Sequence, residues 1–381
     1  CCQRNFVRWS GCSVCIVPGT EEGKESLIMQ GNCIHLTGYF DRNFGDDMMM
    51  KLVVRSLPEI TFLVNETADT PLLSEPNVVQ KDRETCCRFP KLVVTGSGFM
   101  INTKAAILTE LIWFLKGHHP GDYCLGCNME PLDNPIKRFL IRQKLNKFKL
   151  ITCRDQVSYR WLLQNTRKPE IHCLPDILFS LPNEWLPEAK ASDQLGISMM
   201  HSAEDREDCA YYRAMAEAAD EWVKKTGKGV ILMAFNTGKE DDLFACRAVQ
   251  ALMHFRDRTA IVAHTDGTEI LEAFARCEKI IGARFHSMVL ALRMGIPFFP
   301  VIYREKMRNL RLDLKYPVTG CNISHIQMDD VRAFLWERKV EWILPKGCFR
   351  DASKHTNVLR EKLRGFQHEE SFDYGQFGFD D

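Results

Sequence analysis

No charge of either sign dominates this chain. Its 381 residues carry 50 Lys and Arg against 50 Asp and Glu, so no global field draws it to a nucleic acid or an anionic surface, and any anion recognition must come from locally placed arginines. No apolar run approaches the ~20 residues that span a bilayer. No secretory signal opens the chain and no short-period repeat runs through it. The 16 cysteines follow no small-domain disulfide framework; scattered from Cys1 to Cys348, they read as reduced thiols of a cytoplasmic protein. Two C-x-x-C pairs, Cys12 with Cys15 and Cys124 with Cys127, offer four thiolates of the kind that hold zinc. They lie far apart with no histidine-rich partner, so no metal is expected. The dinucleotide fingerprint G-x-G-x-x-G is missing as well.

What is present is an alternation of short apolar runs and amphipathic stretches in a chain too long for one core, which predicts two α/β domains. Residues 1–28 mix cysteine, Trp9 and charge without period and read as an irregular extension, with the fold opening after Met29. The run Cys33 to Tyr39, the loop Asp41 to Asp47 with Asn43 and Asp46, and a helix from Met48 to Arg55 make the first strand-loop-helix unit. Its ligand side is at the strand's carboxyl end. Lys91 to Thr95 runs into Gly96-Ser97-Gly98, another tight turn. Ile136 to Lys149 is a basic amphipathic helix. It reads first as a solvated face over a sheet, and second as a face near an anionic or lipid-linked acceptor. Pro182 and Pro187 mark a crossing linker, giving domains at 29–182 and 183–345 and a terminal helix and tail at 346–381. Phe298 to Tyr303 reads as the last strand, and Val331 to Trp342 as a helix.

Ile281-Gly282-Ala283-Arg284-Phe285-His286-Ser287 is the stretch most charged with chemistry. With Ser287 as N-cap of a helix stopped by Gly295, Arg284 and His286 fall on extended chain and turn to one side, with Phe285 on the other. A cation, a proton donor and a helix N-terminus would then converge on an anion. Arg154 ends the strand Lys149 to Cys153, with Asp155 capping the next helix, and is the second cation on the expected cleft.

Taken together, Gly38-Tyr39 through Asn43-Phe44-Gly45-Asp46, Gly96-Ser97-Gly98, Cys153-Arg154-Asp155 with Ser158, Pro175-Asp176, Gly282 to His286, Gly295-Ile296-Pro297 and Tyr303 with Lys306 resemble the polysaccharide pyruvyl transferase family over about residues 30 to 315. Ser97, where a third glycine is common, and Phe285, where an aliphatic residue is common, depart from the pattern. The resemblance implies two Rossmann-like domains facing a central cleft, similar to B-type glycosyltransferases. It also implies transfer of the carbons of phosphoenolpyruvate to a sugar as a cyclic ketal, with no cofactor beyond that donor. By the same resemblance Arg154 and Arg284 bind the donor's anionic groups and His286 is the acid. The two forked guanidinium groups suit a carboxylate and a phosphate. Lys306 is expected to steady the leaving phosphate, and Asn43 and Asp46 to meet substrate. Asp46 or Asp47 is a candidate base, although helix capping is the simpler role. The expected partners are the donor and a sugar acceptor, lipid-linked in one reading, with the protein close to a membrane. A nucleotide-sugar glycosyltransferase and a non-catalytic carbohydrate-binding relic are the alternatives.

Overall fold

Among the described residues thirteen short segments become strands, and those in mid-sheet are mostly apolar and buried, as expected of parallel strands covered on both faces. The computed structural model describes residues 33–96, 104–115, 120–129, 132, 134–188, 193–201, 209–337 and 339–370. The expected extension at 1–28 and the end of the tail lie outside these residues, as do Ser97 and Gly98. β1 (Cys33–Thr37), β2 (Thr61–Asn65), β3 (Val78–Lys81), β4 (Lys91–Val94), β5 (Tyr123–Cys127), β6 (Leu150–Cys153) and β7 (Glu170–Cys173) form one sheet in the order β3-β2-β1-β4-β5-β6-β7. β8 (Gln194–Met199), β9 (Val230–Ala234), β10 (Thr259–Ala263), β11 (Cys277–Gly282), β12 (Phe298–Ile302) and β13 (Cys321–Asn322) form the second, in the order β10-β9-β8-β11-β12-β13. Every strand pair is parallel. The chain direction across the sheet reverses between β1 and β4 and between β8 and β11, the two places where open parallel sheets leave a crevice for ligands.

Several expected boundaries move for identifiable reasons. The strand β3 and the two-residue β13, not Phe298 to Tyr303, complete their sheets; both are edge strands held by pairing to β2 and β12 rather than by their own pattern. The helix expected from Val331 to Trp342 is only Met328–Arg332 followed by a π turn over Ala333–Glu337. The Lys279 ammonium donates to the carbonyls of Phe334 and Leu335 at 2.9 and 2.6 Å, competing for acceptors of the regular helical ladder. Among the described residues no helix is long and apolar enough to cross a membrane.

The loop after β1 crosses to the second sheet. Phe44 N donates to Phe235 O at 2.8 Å, Thr237 N to Arg42 O at 3.1 Å, and the Phe44 and Phe235 rings meet edge-on at 4.9 Å. At the far end the chain returns. The helices Cys348–Ala352 and Lys354–Glu370 pack on the first half, so these residues join the first body rather than standing apart as a terminal unit. His355 anchors them. Thr152 Oγ1, which accepts from Gly126 N, donates to His355 Nδ1 at 2.6 Å, leaving the ring proton on Nε2 for the Pro175 carbonyl at 2.8 Å.

That arrangement needs a neutral ring, and burial pushes the His355 pKa from 6.5 down to about 4. Below 6.5 the unfolded chain takes a proton that the folded one refuses, so this contribution is complete above about 6.5 and is lost as pH falls toward 4. It amounts to roughly 3 kcal/mol. Urea unfolding should therefore show a steep acid loss of stability over that window, and His355→Leu should flatten it.

Candidate active site

Chemistry-bearing groups follow the carboxyl ends of the strands in both sheets: Asp46 after β1, the Gly96 backbone after β4, Asn128 after β5, Arg154 after β6 and Asp176 after β7 face Asp242 after β9, Arg284 and His286 after β11, and Lys306 after β12. Loops at these ends carry the helix starts, so backbone N–H groups and short polar side chains gather there.

Arg154 is the centre of the first half of the site. Its guanidinium is almost fully buried. Nη1 donates to Asp176 Oδ2 at 2.6 Å and to His286 Nε2 at 3.2 Å, and Nη2 donates to the Gly96 carbonyl and, at 3.2 Å, to Asn128 Oδ1. All four Nη hydrogens are thus committed within the protein, and Nε is buried without a partner among the described residues. The Phe285 ring lies 3.9 Å under the guanidinium, a cation–π contact that joins the two halves. Asp176 is wholly buried. Burial alone would push its carboxyl up, but the Arg154 charge and His286 outweigh that and hold it below the usual carboxylate range.

His286 reaches into this cluster from the second sheet. Arg154 can only donate, so Nε2 accepts and the imidazole is neutral with its proton on Nδ1. Burial lowers its pKa below the ordinary 6.5, opposed by Asp176, whose Oδ2 is 3.7 Å from Nε2. The ring seats flat on Gly45, where any Cβ would overlap it, and a Cβ on Gly96 would come within 2.9 Å of its Cε1. Glycine is needed at 45 for this close approach rather than for its backbone angles. Gly45→Ala should displace the imidazole and lower kcat by roughly tenfold or more, since a 1 Å misplacement of a catalytic group costs up to about a hundredfold. Steady-state kinetics with a thermal melt separates this from unfolding.

Arg284 does not sit where period-two alternation puts it. The helix begins at Phe285 with Arg284 as its N-cap residue, rather than after Ser287. His286 is therefore on the first helical turn, and the two side chains diverge. Arg284 makes no hydrogen bond to Arg154 or His286. Its Nε donates to Asp242 Oδ2 at 2.8 Å, Nη2 to Asp242 Oδ1, and Nη1 to Glu240. Asp242 is itself fixed by the N–H groups of His201 and Asn236 at 3.0 and 2.9 Å. Burial works against the Arg284 cation, but Asp242 and Glu240 more than compensate and raise its pKa further. Asp242 is sealed, whereas the Glu240 side chain is 47% exposed. Glu240 thus occupies the outward side of the guanidinium, as an anionic ligand would.

The other expected residues divide. Lys306 is half-buried, 5.3 Å from both the Phe285 and Tyr303 rings, and its side chain faces the same cluster. Asp46 accepts from Gly96 N at 3.3 Å; burial raises its pKa, resisted by His286, the Gly96 N–H, Lys306 and Arg154. That environment makes the Asp46 carboxylate a better proton acceptor than an exposed one. Asn43, expected to meet substrate, is instead the helix cap: its Oδ1 accepts from Gly45 N at 3.0 Å and Asp46 N at 3.5 Å. Asp47, a candidate base or cap, is an inter-sheet partner, with Oδ2 2.8 Å from His264 Nε2. Asp155 caps its helix as expected, accepting from Ser158 N at 2.8 Å. Cys124 and Cys127 are buried on β5, and no group of three or more ligating side chains gathers among the described residues; Cys12 and Cys15 lie outside them.

Asp176, Asn128, Glu240 and Asp242 had no role assigned from sequence. The rule that selects Arg154, a polar residue just past a strand's carboxyl end, also selects Asp176 and Asn128. Nothing local distinguishes Glu240 or Asp242 from ordinary helix-start acids.

Two parallel Rossmann-like sheets whose carboxyl ends face each other across a charged cluster place the protein in the B-type glycosyltransferase fold class. The UDP-GlcNAc 2-epimerase from Methanocaldococcus jannaschii has the same architecture, with a TM-score of 0.54 at 10% identity over 86% of this chain and 99% of that one. A putative UDP-N-acetylglucosamine 2-epimerase from Listeria monocytogenes superposes with a TM-score of 0.57 at 12% identity, covering 87% and 96% of the two chains. Anabaena Alr3699/HepE, in complex with UDP and glucose, gives 0.51 at 12%, covering 87% and 99%. At these identities the likeness is one of fold. No curated protein matches the chain in sequence. The family model for polysaccharide pyruvyl transferase matches residues 43–305, and the chain belongs to that family.

Proposed function

We propose that the protein moves the pyruvyl group of phosphoenolpyruvate onto two hydroxyls of a sugar of a cell-surface polysaccharide or its precursor, in the cytoplasm, releasing phosphate. The observation that carries this reading is the imidazole of His286, supplied by the second sheet and held 3.2 Å from Arg154 of the first, with Asp176 and Asp46 around it. Family membership supports the class of reaction.

The two arginines take different parts. Arg154, with its Nη donors consumed, orients His286. Arg284, anchored by Asp242, presents its outward side and Lys306 stands nearby; these cations receive the donor's carboxylate and phosphate, with Glu240 swinging out. A charge-assisted hydrogen bond contributes roughly 1.5 to 3 kcal/mol. The arriving anion raises the His286 pKa, so the imidazole takes up a proton and gives it to the methylene carbon of the donor. C2 becomes electrophilic and a sugar hydroxyl adds, losing its proton to Asp46. Phosphate departs with the C–O bonding pair and takes the proton held by Asp46, and a second hydroxyl adds at the oxocarbenium C2 to close the ketal, its proton restoring the one that His286 gave to the methylene carbon. The balance is one donor and one diol in, one ketal and one phosphate out, with no cofactor.

The test is to incubate the protein with phosphoenolpyruvate and a panel of lipid-linked and nucleotide-linked sugars, following phosphate and the acceptor mass. Acceptor-dependent phosphate with a pyruvyl adduct is expected. Tight binding of a nucleoside diphosphate, with phosphoenolpyruvate inert, would transfer the site to glycosyl chemistry.

A further inference from the structure

The helix Lys104–Leu115, KAAILTELIWFL, is apolar around most of its circumference. Helices of that composition belong in a core or in lipid. Here it lies on the surface: Leu115 is 74% exposed, and Leu108, Leu111 and Phe114 are exposed beside it. The adjoining helix Pro135–Leu145 extends the patch with Ile136, 58% exposed, and Phe139, whose ring meets Phe114 edge-on at 5.7 Å.

Charge is distributed around this patch with one sign. The two helices contain five basic residues and a single acid, Glu110, which is paired with Lys144 at 2.6 Å. Among the described residues Arg138 and Arg142 bond to the carbonyls of Leu132 and Asn165 and to no carboxylate. In a chain of zero net charge this is a local concentration.

We propose that this face docks on an anionic lipid bilayer, with the two helices lying in the interface plane and the apolar side chains entering the headgroup boundary. An apolar face fringed by Lys and Arg is what such a surface recognises. A symmetric contact with a second copy would instead bring the same cations together. Both helices follow strands, β4 and β5, whose carboxyl ends lie on the cleft side. The inference does not depend on the chemistry assigned to the cleft.

Vesicle co-sedimentation tests it, using phosphatidylcholine with and without phosphatidylglycerol. The full chain should pellet with the anionic vesicles and not the neutral ones, less so in high salt. Lys137→Gln with Arg142→Gln should weaken partitioning about fivefold per cation. Leu111→Ser, Leu115→Ser and Phe139→Ser together should weaken it by more than about tenfold, with the thermal midpoint kept. Partitioning that ignores lipid charge, or is unchanged in both variants, overturns the proposal. So does a concentration-dependent dimer, lost in the serine variant, without vesicle binding; that result would give the face to a second copy.

Discussion

His286→Gln is expected to lower acceptor-dependent phosphate release from phosphoenolpyruvate by on the order of 10² to 10⁴, the contribution of one positioned acid. The fold should survive, because glutamine fits the space over Gly45 and can still accept from Arg154. The pH profile of the unaltered enzyme supplies a second readout. In the free protein burial holds the His286 pKa below 6.5, so the protonated acid is scarce at neutral pH. A bound dianion raises that pKa. Because kcat/KM reports the free enzyme and kcat the complex, both should fall on the alkaline side, kcat/KM at lower pH than kcat. Coincident limbs, or near-normal turnover in His286→Gln, would remove this residue from the reaction.

Asp176→Ala should destabilise the protein by about 3 to 5 kcal/mol, since it strands a buried guanidinium without its carboxylate. Arg154 and Asp176 side chains are 2% and 0% exposed, so solvent cannot take up the slack. Arg154→Met alone should cost a comparable amount for the mirror reason, with Asp176 left to protonate. The informative variant is the double replacement Arg154→Met with Asp176→Leu. Replacing a buried ion pair with apolar groups of similar volume is often neutral or stabilising, so urea unfolding should return toward the parent while activity stays lost, because nothing then orients His286. Recovery of both stability and turnover would make the pair structural only. Recovery of neither would indicate that the Gly96 and Asn128 contacts of Arg154 dominate local packing instead.

The two arginines look alike in sequence and differ in the molecule. Each follows a strand of a parallel sheet and precedes a helix, which local pattern can detect. Which carboxylate each meets depends on chain brought together from 22 residues away for Asp176 and 42 for Asp242. Side-chain spacing also misled at one point: extended chain would align Arg284 with His286, but the helix starts at Phe285, and 100° per residue sends them apart.

Sequence alone determined the alternation of strand and helix, the two-sheet division, the helix end at Gly295, and the place of Arg154 and Arg284 just past strand ends, because hydrophobic period, capping chemistry and positive φ are local properties. Tertiary structure decided that Arg154 is a brace, that Arg284 keeps an outward side covered by Glu240, that Asn43 serves its own helix, and that residues 348–370 fold back on the first sheet. Those outcomes turn on which buried charges share a low-dielectric volume, and that is set by packing between the sheets rather than by any residue's neighbours in the chain.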